Sequence, residues 1–305
     1  MDVLQAYYDG RWISAAELAV PVSDTGFVQG VCIAEQLRTF GGRLFRLDGH
    51  LDRLFHCLDL VGIDPGMPQR QFAEIAEQLT AHNHRLMAPG DDLGLSIFVT
   101  PGPYRTFTGP QPGRPLVCMH TYALPFRLWA ETYRAGQSLV TTAVRQVPGD
   151  CWPSELKCRS RMHYYLADRE AAATEPGARA LLLDHDGFVA EASTANALAY
   201  RADEGLLSPP LGKVLRGISM GVVVELTARL RIPFKQRDLR PDDFAAADEA
   251  MLTSTSVCLL PVTRFNGQSV GQGTPGPIFH RILEAWKELV GLDFTEQARR
   301  FAQRV

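Results

Sequence analysis

The chain is poor in lysine. Lys157, Lys213, Lys235 and Lys287 are the only four among 31 basic residues, so any chemistry that needs a primary amine has four candidates. Positive charge is not in excess either: 31 Lys and Arg face 34 Asp and Glu, for a formal net charge of −3. A protein that grips nucleic acid or an anionic membrane presents a basic face, so neither partner is expected. No apolar run reaches the roughly 18 residues of a membrane-crossing helix. The opening MDVLQAYYDGRW is acidic and mixed, unlike a secretory leader, and a cytoplasmic location is expected. The six cysteines (Cys32, Cys57, Cys118, Cys151, Cys158 and Cys258) form no CxxC pair. Buried reduced thiols are therefore expected rather than zinc ligands or disulfides. The phosphate-cradling P-loop and the zinc-protease HExxH signatures are absent, and the eight histidines show no ligand spacing, so no metal is expected.

What is present suits a large core. With 305 residues, 46% of them hydrophobic, the chain is neither disordered nor a small stapled scaffold, and its length suggests two domains. The first third reads as α+β. VLQAYY and RWISA predict strands around Asp9-Gly10, and VCIAEQLRTF and RLFRL predict a hairpin at Gly41-Gly42. Asp48 is the expected N-cap of a helix that places Leu51, Leu54, Phe55 and Leu58 on one face, and QFAEIAEQLTAH predicts another helix. LGLSIFVT and PLVCMHTYAL predict strands around PGPYRTFTGPQPGRP, a stretch long enough for a functional loop.

Residues 123–129 read as a linker between a small N-terminal α+β domain, 1–122, and a larger mixed domain, 130–305. In the larger one QSLVTTAVRQV predicts a strand, and SRMHYYLADREAAAT a helix. ARALLLD and FVAEAS flank an Asp-Gly turn. ALAYRA, GLLSP, IPFKQRDL and AMLTST continue as strands, a helix opens near Gly217, and FHRILEAWKELV is expected to close the chain.

Four features of this second half stand in order: Lys157 just ahead of a helix, Glu191 just past a turn, VLRGIS opening a helix, and TSTS ending an apolar strand. An amine, a carboxylate, a helix N-terminus and a hydroxyl-rich loop are what pyridoxal 5'-phosphate chemistry requires. The amine forms a Schiff base, the carboxylate keeps the pyridine nitrogen protonated, and the helix start and hydroxyls receive the phosphate. Each feature alone is ordinary: a lysine before a helix is usually a solvated charge, and TSTS can simply cap a strand.

The arrangement resembles the class IV aminotransferases, the fold-type IV pyridoxal phosphate enzymes. These include branched-chain and D-amino acid aminotransferases and aminodeoxychorismate lyases. The similarity runs through SDTGFVQGVCIAEQLRTFGGRLFRLDGHLDRL, LKCRSRMHYYLADREA, GFVAEASTANALAY, VLRGIS and MLTSTSVCLLPV. It implies a two-domain α+β fold, a homodimer in which PGPYRTFTG reaches the partner's site, and transfer of an amino group between an amino acid or amine and a 2-oxo acid. A lyase eliminating pyruvate, or a scaffold that only binds a ligand, are the alternatives. By the same resemblance Lys157 holds the cofactor and shuttles the proton, and Glu191 pairs with the ring nitrogen. Arg53 contacts the phosphate, failing which it is a surface helix charge. Ile218 and Ser219 offer backbone N–H groups, Ser254 and Thr255 complete the phosphate cup, and Leu215 packs on the ring.

The sequence departs from the family pattern at several positions. Met162 stands where branched-chain enzymes carry a Tyr to the ring hydroxyl, and Tyr164, on a helix, is not expected to replace it. Lys-x-x-Ser-Arg-Met is similar to the D-amino acid and lyase branches. Gln29 and Ala34 replace pocket aromatics, Gly94 stands near the branched-chain pocket Arg, and Arg105 is a candidate carboxylate clamp. Glu35 and Gln36 occupy positions where the lyase branch often has Thr. Losing two rings while adding a buried amide that wants a partner predicts poor turnover of valine, leucine and isoleucine.

Overall fold

The computed structural model describes residues 3–109 and 113–304, so the tip of PGPYRTFTGPQPGRP lies outside the described residues. The chain folds as two units. One comprises the residues up to Leu124 together with Leu156–Ser160, and the other Pro125–Glu155 with the chain from Arg161 onward.

The first unit contains β1 (Gln5–Tyr8), β2 (Arg11–Ser14), the single turn α1 (Thr25–Val28), β3 (Ile33–Phe40), β4 (Arg43–Leu44), α2 (Leu47–Leu60), α3 (Gln69–His84), β5 (Leu93–Thr100), α4 (Arg105–Thr108) and β6 (Leu116–Ala123). Its six strands run in the order β2-β1-β6-β5-β3-β4, every pair antiparallel. Alternation sends Ile33 and Leu37 of β3, Leu95, Ile97 and Val99 of β5, and Val117 and Met119 of β6 to one face. They pack there with Leu51, Leu54, Leu58, Phe72, Ile75 and Leu79 of the two long helices. The expected cap at Asp48 is displaced. Arg46, in the left-handed region at φ 54°, precedes the helix without a side-chain cap, and Asp48 sits in the first turn, where the dipole favours a carboxylate.

Segment 156–160 sits in the first unit rather than with the sequence around it. Ala34 N–H donates to the Lys157 carbonyl at 3.1 Å and Arg159 N–H to the Cys32 carbonyl at 2.8 Å. With Cys158 opposite Ile33, it lies antiparallel against the start of β3.

The second unit holds α5 (Thr132–Ala135), β7 (Gln137–Arg145), α6 (Met162–Thr174), β8 (Arg179–Leu183), β9 (Val189–Ala192), β10 (Asn196–Arg201), β11 (Gly205–Ser208), α7 (Ile218–Arg229), β12 (Phe234–Gln236), α8 (Pro241–Ala245), β13 (Glu249–Ser254), β14 (Cys258–Phe265), β15 (Gln268–Ser269), α9 (Pro277–Val290) and α10 (Phe294–Arg300). Its mixed nine-stranded sheet runs β12-β11-β10-β13-β14-β7-β8-β9, with β15 added to β14. α6 packs Ala167 and Ala171 against Val140, Ala180 and Leu182, small residues that let the helix approach the sheet closely. The chain does not close on α9: Gly291, at φ 66°, ends that helix, and Asp293 caps α10 through its carboxylate.

Two glycine spacings in this unit mimic familiar motifs. Gly271 to Gly276 fits GxGxxG, but it follows the two-residue β15. The amides of Ile278 and Phe279 that could have received a phosphate are filled by the buried Glu249 carboxylate, both at 2.8 Å. Gly217 to Gly221 fits GxSxG, but Ser219 lies inside α7 with ordinary negative φ, not on a strained elbow.

Candidate functional site

In the first unit Lys157, the expected cofactor-bearing amine, is buried and held through its backbone. Its amide donates to Cys57 Sγ at 3.3 Å while its carbonyl accepts from Ala34, so the backbone is held on both sides. Arg159 Nη2 anchors to Ser96 Oγ at 2.8 Å and Ser160 Oγ to the Gly30 carbonyl at 2.6 Å. Among the described residues Lys157 is also the only buried lysine. Lys213 pairs with Asp184 and Asp238, Lys287 with Glu284 and Asp293, and Lys235 is exposed.

Arg53 is not a solvated helix charge. Its Nε and Nη2 grip both oxygens of Glu35 at 2.7 and 2.9 Å, and His50 Nδ1 meets Glu35 Oε2 at 2.7 Å. The spacing of His50 and Arg53 puts both on one face of α2, and the pleat of β3 turns Glu35 toward that helix. Burial alone would raise the Glu35 carboxyl, but the Arg53 charge and the His50 bond outweigh it and hold it well below the usual carboxylate range. Burial keeps His50 below its ordinary value despite Glu35, so the ring is neutral and donates Nδ1–H to the carboxylate.

In the second unit Glu191, on β9, is buried and accepts two hydrogen bonds on one oxygen. Gln146 Nε2 donates to Oε1 at 2.6 Å and Tyr164 Oη to the same atom at 2.5 Å. Gln146 follows β7, and Tyr164 stands in the first turn of α6. Burial and the Glu191 charge push the Tyr164 phenol well above its usual value, so it stays a donor. Sequence reasoning misses this: a helical Tyr seven residues past Lys157 gives no sign that β9 brings Glu191 to it.

Elsewhere in the same unit the start of α7 is a helix terminus of the kind that can receive an anion. Its N-cap is Gly217, which has no side chain to satisfy the first amides, those of Ile218 and Ser219. Ser219 is buried, and Leu215 and Ile218 are half-buried. Asn196, paired with Thr253 in the sheet, donates Nδ2 to the Leu215 carbonyl at 2.9 Å. This ties the helix entry to the strand whose end carries Ser254 and Thr255, both half-buried. That hairpin is tight: Thr253 Oγ1 donates to the Cys258 carbonyl at 2.7 Å, and Cys258 has φ 61°.

The residues expected to set specificity are scattered over the first unit. Ala34 is buried in β3, Arg105 is exposed at the start of α4, and Gln29, past the end of the single-turn α1, is exposed. The chain therefore offers no buried, partnerless amide at Gln29, and the expectation of poor branched-chain turnover loses that support. At Gly94 the structure gives a steric reason for the missing side chain. A Cβ there would lie 2.1 Å from the Tyr122 ring, its partner across β5 and β6. Of the cysteines, Cys32, Cys57, Cys118 and Cys258 are buried, Cys158 is half-buried and Cys151 is exposed.

Comparison with known proteins gives concordant matches. The family model for amino-transferase class IV matches residues 33–265. A D-alanine aminotransferase of Bacillus licheniformis is 27% identical, over 92% of this chain and 95% of its own. A putative branched-chain-amino-acid aminotransferase of Methanocaldococcus jannaschii is 25% identical, over 94% and 96%. Among solved structures, the Escherichia coli branched-chain amino acid aminotransferase superposes with a TM-score of 0.86 at 19% identity, covering 94% of this chain and 95% of that one. The T.th. branched-chain amino acid aminotransferase with pyridoxamine 5'-phosphate gives a TM-score of 0.84 at 21% identity, covering 95% of each.

Proposed function

This chain belongs to the class IV aminotransferases, and from that membership we propose how its residues divide the work of a pyridoxal phosphate-dependent amino-group transfer. The protein is an enzyme of this class, with an amino acid and a 2-oxo acid as its substrates. When bound, pyridoxal phosphate supplies an aldehyde for an amine and a protonated ring that withdraws electrons from the substrate Cα. The side chains present suit such a group: a buried carboxylate for a ring N–H, a helix start without a side-chain cap for a phosphate, and one buried lysine. By contrast the start of α9 is already filled by Glu249.

The observation that carries the assignment of the amine is the fixed, buried backbone of Lys157, pinned by Cys57 and Ala34. Lys157 Nζ holds the cofactor and moves the proton at the substrate Cα. Glu191 would accept a hydrogen bond from the N–H of the protonated ring nitrogen. Ile218 and Ser219 amides, the Ser219, Ser254 and Thr255 hydroxyls and the Arg53 guanidinium bind the phosphate, and Leu215 packs on the ring. Borohydride reduction and peptide mapping should place cofactor mass on the Lys157 peptide. Labelling at Lys213, Lys235 or Lys287 overturns the assignment.

The enzyme works as a homodimer in the cytoplasm. Exposed apolar side chains support the dimer, among them Val22, Phe27 and Phe107 in the first unit and Met162 and Tyr165 in the second. Donors outside the branched-chain set are favoured, because Gly94 and the Tyr122 ring leave no room for a guanidinium at that position. The aminotransferase relatives favour transamination over pyruvate elimination.

A further inference from the structure

Tyr164 is a residue the reaction scheme has not used. Its hydroxyl is spent on Glu191 Oε1 at 2.5 Å, beside the Gln146 amide at 2.6 Å. A phenol has one proton to donate, so this bond rules out simultaneous donation to another acceptor. Two neutral donors on one oxygen do two things. They fix the carboxylate in its plane, and they favour its ionised form, since hydrogen bonds to a charged group stabilise the charge. The three side chains come from separate parts of the fold, Gln146 just past the end of β7, Glu191 on β9 and Tyr164 in α6, so their geometry is set by the sheet and the helix packed on it.

We propose that Tyr164 is a positioning residue for amino-group transfer, donating with Gln146 to one oxygen of Glu191 so that this carboxylate stays ionised and aimed as an acceptor for the cofactor's ring nitrogen. The proposal rests on the reading of Glu191 as the ring-nitrogen partner. Without the phenol, Glu191 competes harder for the ring proton, and the ring becomes a weaker electron sink. The effect falls on turnover, not on substrate binding.

The test uses the cofactor-loaded enzyme and the variants Tyr164→Phe, Glu191→Gln and their combination. Tyr164→Phe should bind cofactor stoichiometrically, keep KM within about twofold and lower kcat about tenfold, the scale of one charge-assisted hydrogen bond. The pH midpoint of the bound cofactor's visible absorbance should move upward in Tyr164→Phe and further in Glu191→Gln. Because Tyr164 acts through Glu191, the double variant should match Glu191→Gln, not show the product of both effects. Wild-type kcat and absorbance midpoint in Tyr164→Phe, with Glu191→Gln altered, overturn the proposal alone. An unaltered Glu191→Gln overturns the reading beneath it. A Tyr164→Phe enzyme that only melts earlier, with kcat and midpoint unchanged, shows a structural role and also overturns the proposal.

Discussion

Asn196 and Gly217 are locked together. Asn196 Nδ2 holds the Leu215 carbonyl at 2.9 Å, and its Oδ1 lies 2.1 Å from where a Cβ on residue 217 would stand. Gly217 adopts ordinary negative φ, so it is a glycine for space and not for conformation. Gly217→Ala must push the amide away and break the Leu215 bond. We expect a loss of about 1–2 kcal/mol of stability in the cofactor-free protein from that hydrogen bond and the crowding. The affinity for pyridoxal phosphate, read by fluorescence titration, should weaken as well. A variant with wild-type stability and affinity refutes the role given to this contact.

The Arg53 to Glu35 pair makes a second prediction. Glu35 is fully buried, so removing its guanidinium partner strands a charge. Arg53→Leu should destabilise the cofactor-free protein by about 3–5 kcal/mol, the scale for breaking a buried pair. Urea unfolding measures it. A change below about 1 kcal/mol would mean the helix charge is solvated after all.

The same cluster sets a pH dependence. His50 titrates below its ordinary value in the fold, chiefly through burial, so the unfolded chain binds its proton first as the solution is acidified. Stability from His50 is present above about pH 6.5, the ordinary histidine value, and is lost as pH falls through its lower folded value. Glu35, also depressed, adds a loss that begins as pH falls below the ordinary glutamate value of about 4.3. Unfolding midpoints measured from pH 7.5 to 4 should therefore decline below pH 6.5. His50→Gln should flatten the upper part of that decline. An identical slope in the variant refutes the assignment.

How much of this is legible in the sequence depends on how local each signal is. Asp9-Gly10 and Gly41-Gly42 announce their hairpins because a turn is specified by the residues that make it. Leu51, Leu54 and Leu58 announce the buried face of α2 through spacing alone. What stays hidden is tertiary. Nothing near Lys157 indicates that 156–160 pairs with the start of β3, since a strand's partner is chosen by the rest of the fold. Glu35, His50 and Arg53 each stand in a familiar pattern, but their mutual contact needs β3 against α2. Helix geometry alone points Tyr164 away from the chemistry, because it leaves out the β9 carboxylate that the phenol meets. Resemblance puts Gln29 in a pocket, and its position past a one-turn helix leaves it exposed.

Gly94 and Tyr122 face each other across β5 and β6. The Tyr122 ring lies where any side chain on residue 94 would begin, with Cζ 2.1 Å and Cε2 2.4 Å from an ideal Cβ. Tyr122 is continued by His120 and Phe98, with successive ring centroids 6.3 Å apart, so the ring cannot swing freely along the sheet. Gly94→Arg must displace Tyr122 and disturb that row. The expected loss is about 1–3 kcal/mol, the usual scale for overpacking a filled site. Tyr122→Ala in the same chain should restore most of it, because the guanidinium stem can then occupy the vacated space. Urea midpoints of the two single variants and the double variant give the coupling directly. Additive effects, with no rescue, would show that Tyr122 does not fill the position, and would remove the steric argument against branched-chain donors. A donor panel then supplies the independent check: leucine or isoleucine giving the highest catalytic efficiency in the wild-type enzyme would overturn the donor preference itself.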